Sequence, residues 1–199
     1  MMLNKPKLER NIKVVGLRAD GRNLVYNGIT SDKVEAVAPQ SRFVDRYVQE
    51  VQSGFQASPA LGSTGLQMPV LQLLPPSLRV TIYFEDDRLQ KDERLLDYFG
   101  GILIIVLRLR SEEALIMLDK QLKKLDRQYG FQILIIVNTA SEGKKGETKV
   151  DNSKLASKLH DIALENDCFT MFVDPRTEIQ KTYLLKLKEI YEKDLEFSS

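Results

Sequence analysis

"VVGLRADGRN", Val14 to Asn23, admits two readings that lead to different folds. Asp20-Gly21 between two apolar runs is the commonest signature of a two-residue β-hairpin turn, which would open an antiparallel sheet. Gly16 followed after four residues by Gly21 is instead the glycine spacing of a phosphate-binding loop, which joins a strand to a helix. In such a loop the second glycine is followed by Lys and then by Ser or Thr, whereas Arg22 and Asn23 stand there. The next residues, "LVYNGITSD", contain Gly28 and three β-branched residues, which is poor material for a helix. The stretch alone leaves both readings open, and the order of elements further along the chain tips the balance toward the loop.

That order is clear from residue 79 onward. "RVTIYFE", 79 to 85, is β-branched and aromatic and reads as a strand. "QKDERLLDYF", 90 to 99, reads as a short helix. "GILIIVLRL", 101 to 109, is apolar almost throughout, which suits a strand buried on both faces. "SEEALIMLDKQLKKLDRQYG", 111 to 130, sets Leu115, Leu118, Leu122 and Leu125 on one helical stripe, with Ser111 to cap its start and Gly130 to end it. "FQILIIV", 131 to 137, is a second buried strand, followed by a polar loop over 138 to 151. A helix over 152 to 166 carries Leu155, Leu159, Ile162 and Ala163 on one face. "CFTMFV", 168 to 173, reads as a buried strand. A last helix, about 178 to 192, spaces Ile179, Tyr183, Leu187 and Ile190 along one side.

Strands alternating with helices imply right-handed crossovers and a mostly parallel sheet covered on both faces, a three-layer α/β domain. The first half is less regular. "NIKVVGL", 11 to 17, reads as a strand, and "LQMPVLQLL" before Pro75-Pro76 as another. "SRFVDRYVQEVQSGF", 41 to 55, sets Phe43, Tyr47, Val51 and Phe55 four apart, which predicts an amphipathic helix. Residues 1–10 form a charged tail and 11–196 a single domain, with an irregular insertion at about 39–67. Pro39 to Gln67 is expected to be its least ordered internal segment.

Composition narrows the function. The chain has 199 residues, 43% hydrophobic and 29% charged, which suits one soluble domain with a sizeable core. A formal net charge of +1 gives no field that points to nucleic acid or to an acidic membrane. One cysteine, Cys168, excludes an internal disulfide, and with a single histidine, His160, a Cys/His metal site is implausible. The longest apolar run, Ile102 to Leu107, is too short to cross a bilayer. An intracellular, reducing compartment is expected, with no cofactor and no membrane insertion.

From 66 to 199 the order of elements resembles the Ras-like small GTPase fold: a strand pair, a short helix, then strand and helix three times over. "DYFGGILIIVLRLRSEEALIMLDKQLKKL" is similar to the central strand of that family and the helix after it. The strand at 11–17 and the loop at 16–23 would supply the opening of the fold. The resemblance implies a nucleotide site, and each of its groups can be checked. Gly16 and Gly21 match the loop glycines. Arg22 replaces the lysine that reaches the phosphates, and a planar fork is a poor substitute for a compact ammonium. Asn23 replaces the hydroxyl that binds Mg²⁺. The Asp-x-x-Gly motif falls at "FEDDRLQ", where Asp86 and its neighbours supply carboxylates but no glycine follows. Asn138 matches the start of the guanine-reading motif, but Ser141 replaces its carboxylate, and Asp174-Pro175-Arg176 departs from the last base-side motif.

A Ras-like scaffold with these losses implies a non-catalytic pseudo-GTPase that serves as an interaction or assembly subunit in a heteromeric complex. A divergent nucleotide-binding GTPase and a non-catalytic scaffold subunit of a DNA-processing nuclease complex are the alternatives. In the family, partners most often bind the switch face, which here would include Leu71, Leu73, Leu95, Tyr98 and Phe99. Elsewhere bland readings prevail. His160 follows a core position and is expected at the surface. Cys168 reads as a small core residue. "EGKKGETK" reads as a solvated loop, because two acidic residues interrupt its lysines.

Overall fold

A computed structural model describes residues 9–31, 43–49, 77–83, 101–125, 131–141 and 152–197. In chain order the elements are β1 (Glu9–Gly16), a 3₁₀ turn (Arg18–Asp20), α1 (Arg22–Thr30), β2 (Phe43–Gln49) and β3 (Ser77–Tyr83). Then come β4 (Gly101–Leu107), α2 (Glu112–Lys124), β5 (Gln132–Asn138), α3 (Asn152–Glu165), β6 (Phe169–Val173) and α4 (Gln180–Phe197). The strands form one six-stranded sheet in the order β2-β3-β1-β4-β5-β6. All neighbours are parallel except β2, which runs antiparallel to β3.

Strand period two divides the apolar side chains between two cores. Ile12 and Val14 of β1, Leu78, Val80 and Ile82 of β3, and Ile102, Ile104 and Val106 of β4 face α1 and α4. Leu103 and Ile105 of β4, with Ile133, Ile135 and Val137 of β5, face α2 and α3. This is why the runs at 101–107 and 132–138 show no alternation: both of their faces are buried. The predicted helical stripes are the buried ones, with Leu115, Leu118 and Leu122 on α2 and Leu155, Leu159, Ile162 and Ala163 on α3. Ser111 caps α2 by accepting a hydrogen bond from the Ala114 amide. On α4, Tyr183, Leu187 and Ile190 are buried, but Ile179 precedes the helix and is exposed. His160 lies at the surface, as expected.

Two expectations require correction. Residues 43–49 form a strand, not part of a helix over 41–55. Positions four apart share a helix face, but they also share a strand face, because four is twice two. Phe43 and Tyr47 therefore fit both periods, and pairing with β3 decides between them. The second correction concerns "CFTMFV": Cys168 lies outside the strand and is partly buried, and β6 is an edge strand, not a buried one. With β5 its one neighbour among the described strands, β6 leaves Phe172 47% exposed.

The hairpin alternative at residues 14–23 fails, and the preferred strand–loop–helix reading matches the observed elements. β1 is followed by a turn and a helix, despite Gly28 and the β-branched residues. Tertiary packing outweighs propensity here. Tyr183 of α4 packs over Gly28, where an added Cβ would lie 2.6 Å from Tyr183 Cε2. Gln180 Nε2 donates to the Ile29 carbonyl at 2.8 Å and satisfies one of the end groups of α1. The predicted helix at 90–99, the strand before Pro75 and the tail at 1–8 lie outside the described residues. So does the segment Pro39 to Gln67, apart from Phe43–Gln49.

Two substitutions test the α1–α4 contact. Gly28→Ala gains about 1 kcal/mol of helix propensity but forces a methyl into the Tyr183 ring, which costs about 1–3 kcal/mol. The melting temperature should fall. Tyr183 is buried, its hydroxyl finds no hydrogen-bond partner among the described residues, and burial raises its pKa well above the ordinary value. Tyr183→Phe removes that hydroxyl and leaves no partner unpaired, so the melting temperature should hold or rise.

Candidate functional site: the carboxyl ends of the parallel strands

The helix after β1 packs on one face of the sheet and the helix after β4 on the other. β1 and β4 are neighbours, so the carboxyl ends of these two strands form the topological switch point, where open α/β sheets form a crevice. Five of the six predicted site residues converge there: Gly16, Gly21, Arg22, Asn23 and Asn138. Asn23, on the first turn of α1, accepts a hydrogen bond from Arg22 Nε at 3.3 Å and so belongs to the same group. Asp86 lies outside the described residues, as do Leu71, Leu73, Leu95, Tyr98 and Phe99.

The loop is wound tightly upon itself. The Asp20 amide donates to the Leu17 carbonyl at 3.0 Å, and the Gly21 amide to the Arg18 carbonyl at 3.1 Å. Gly21 then adopts φ 93°, a left-handed conformation that turns the chain into α1. Arg22 is 2% exposed. Its Nη1 reaches back and donates to the Gly16 carbonyl at 2.8 Å, closing the loop from residue 16 to residue 22 with a charge-assisted bond. The cation at the lysine position thus holds its own backbone.

The neighbouring loops are stitched to this one. Asn138, at the end of β5, donates through Nδ2 to the Asp20 carbonyl at 2.9 Å and accepts at Oδ1 from the Ala140 amide at 2.9 Å. It packs so closely that a Cβ on Gly21 would lie 2.5 Å from Asn138 Nδ2 and 3.5 Å from Pro175 Cγ, which brings the loop after β6 to the same point. Arg110, two positions after Arg108 beyond β4, meets Asp20 Oδ1 at 2.9 Å across the switch point. That contact is not aligned as a hydrogen bond, so its attraction is chiefly coulombic. Arg108 Nη1 donates to the Ala140 carbonyl at 2.6 Å. The Thr139 amide donates to the Val173 carbonyl at 2.8 Å.

Sequence reasoning missed Asp20, Arg108 and Arg110 as site residues, and it noted Asp174 and Arg176 only as a departure from a motif, not as a pair. A signal for the first arginines was present: "GILIIVLRLR" places Arg108 and Arg110 directly beyond the carboxyl end of the most buried strand. Asp174 receives Arg176 Nη2 at 2.8 Å, Arg176 Nε at 3.0 Å and the Arg176 amide at 3.0 Å. The Arg176 side chain, then its amide, lowers the Asp174 pKa from 3.8 to about 2. Among the described residues no group of His, Cys, Asp and Glu could hold a metal ion, and no helix is long and apolar enough to cross a membrane. In comparisons with known proteins, no family model matches the chain and no curated protein is significantly similar to it.

Asn138 offers a test of the stitching. Asn138→Ala deprives the Asp20 carbonyl of its donor and should lower stability by about 1–3 kcal/mol. Asn138→Asp should be worse at neutral pH, because it sets a carboxylate oxygen against that carbonyl. A protonated carboxyl can donate, so the fold raises the pKa of the new Asp. The variant should recover stability as pH falls below that folded pKa and lose it as pH rises through it. Chemical denaturation at several pH values reads both effects.

Asp174 runs the other way. Its folded pKa lies below the ordinary value, so its stabilising contribution is complete above about pH 4 and is lost as pH falls toward about 2. Carboxyl NMR titration should show Asp174 returning to the ordinary carboxylate range in Arg176→Ala.

Proposed function

We propose that the chain is a pseudo-GTPase: a Ras-like α/β scaffold whose nucleotide site is closed by its own side chains, and which acts as a protein-binding assembly subunit inside the cell. The strand order, the single antiparallel strand and the loop between β1 and α1 are compatible with that scaffold. One observation carries the functional half of the reading. The Arg22 guanidinium is buried and bonded to the Gly16 carbonyl, within the loop whose amides would otherwise wrap a phosphate.

Other features point the same way. The Asp20 and Gly21 amides are engaged by the turn itself, and Asn138 braces the loop through both ends of its amide. Asn23, a poor Mg²⁺ ligand, bonds Arg22 instead. Fold carries no function by itself, so the assembly role rests on these losses together with the resemblance. The proposed partner surface is the set of apolar residues Leu71, Leu73, Leu95, Tyr98 and Phe99. An inactive scaffold has no nucleotide-driven switch, and a lasting heteromeric contact is the use that such residues suit best.

Titration with a fluorescent GTP analogue, with and without Mg²⁺, tests the reading. Binding no tighter than about 1 mM is expected, which corresponds to roughly 4 kcal/mol. A Mg²⁺-dependent affinity in the micromolar range, or nucleotide released on denaturation at close to one per chain, would establish the divergent GTPase instead.

A further inference from the structure

β6 is an edge strand that lacks the usual protection. Edge strands commonly carry a charge, a proline or a bulge that discourages pairing with another chain. "FTMFV", 169 to 173, has neither charge nor proline, and its register with β5 runs residue for residue over all five positions without a bulge. β2, at the opposite edge, carries Asp45 and Arg46. Apart from the ladder to β5, the bond from Thr139 to Val173, and Lys186 and Lys193 over the Phe169 ring, residues 169–173 make no hydrogen bond or ion pair among the described residues. Among those residues, nothing pairs with the outward backbone groups of β6.

The flank beside this edge is also uncharged. α3 is tied to α2 by the pairs Lys158–Glu112 and Lys123–Glu165. Ser153, Ala156, His160 and Leu164 lie on the side of α3 turned away from α2, and Leu164 is 68% exposed.

We propose that β6 pairs antiparallel with β6 of a second copy about a two-fold axis at Met171, which extends the sheet across the pair. The sequence is self-complementary in that register. Thr170 lies opposite Phe172 of the second copy, and Phe169 opposite Val173. Asp174 falls opposite Cys168 and Asp167 opposite Pro175, so no carboxylate meets another, and Pro175 ends the ladder. Lys186 and Lys193, 5.9 and 5.3 Å from the centroid of the Phe169 ring and paired with Glu189, come alongside Val173 of the second copy, so no unpaired like charges meet there. A five-residue ladder alone buries less than the ~1,200 Å² of a stable interface. With the α3 flank added, the contact suits a reversible dimer that fills at about 10–100 µM.

Sedimentation velocity of the full chain from about 1 to about 200 µM tests this without reference to nucleotide. A monomer that converts to dimer across the range is expected. Thr170→Lys with Phe172→Lys sets lysine against lysine and should hold the protein monomeric throughout, with an unchanged melting temperature. Thr170→Lys with Phe172→Glu sets opposite charges together across the axis and should restore the dimer. If the double-lysine variant melts early, Phe172→Lys alone, at an exposed ring, decides. A wild-type monomer at every concentration, a dimer indifferent to the lysines, or no rescue by the opposite-charge variant overturns the proposal.

Discussion

A charge buried beneath a loop needs a partner, and Arg22 finds one in the Gly16 carbonyl at 2.8 Å. The rest of the site is arranged around that bond. An isolated cation in a low-dielectric interior is several kcal/mol unfavourable, and the bond to the Gly16 carbonyl offsets part of that cost while it ties residue 22 back to residue 16. Once Arg22 holds residue 16, the turn at 18–20 can close only if residue 21 takes a left-handed conformation without a side chain, and Gly21 does. The space left beside Gly21 is then filled by Asn138 and Pro175 from the loops after β5 and β6. The loops at this end of the sheet are cross-bonded to one another.

How much of this was legible in the sequence follows from where one period or one signal dominated. The buried strands at 101–107 and 132–138 and helices α2 and α3 could be read directly, because their apolar runs and stripes have no competing explanation. The strand at 43–49 could not. Its apolar spacing of four satisfies both periods, and the pairing with β3 that decides between them is absent from the local sequence. α1 was obscured for the opposite reason. Gly28 lowers helix propensity, yet it is there to admit the Tyr183 ring, a residue far along the chain. In both places a long-range contact overrides a local preference.

The site was half legible for a related reason. Gly16, Gly21, Arg22, Asn23 and Asn138 stood out because each occupies a motif position, and the fold brings all five together. Asp20, Arg108 and Arg110 stand at no diagnostic motif position, and Asp174 and Arg176 stood out only as a departure from the last base-side motif. They become visible only when the strand order places the ends of β1, β4, β5 and β6 side by side. In the structure the motif positions and the residues around them bond within one cluster.

A loop held by a nucleotide can exist in two states, because the ligand's differential contacts shift the balance between them. In this loop the contacts come from the chain itself: Arg22 donates to the Gly16 carbonyl and Asn138 to the Asp20 carbonyl. The apolar edge at β6 is a feature of another kind: its outward backbone groups are satisfied by solvent or by another chain, independently of the loops. The bonded loops and the open strand edge are thus set by different groups of the same sheet: the first by side chains that reach across the strand ends, the second by backbone groups that face outward.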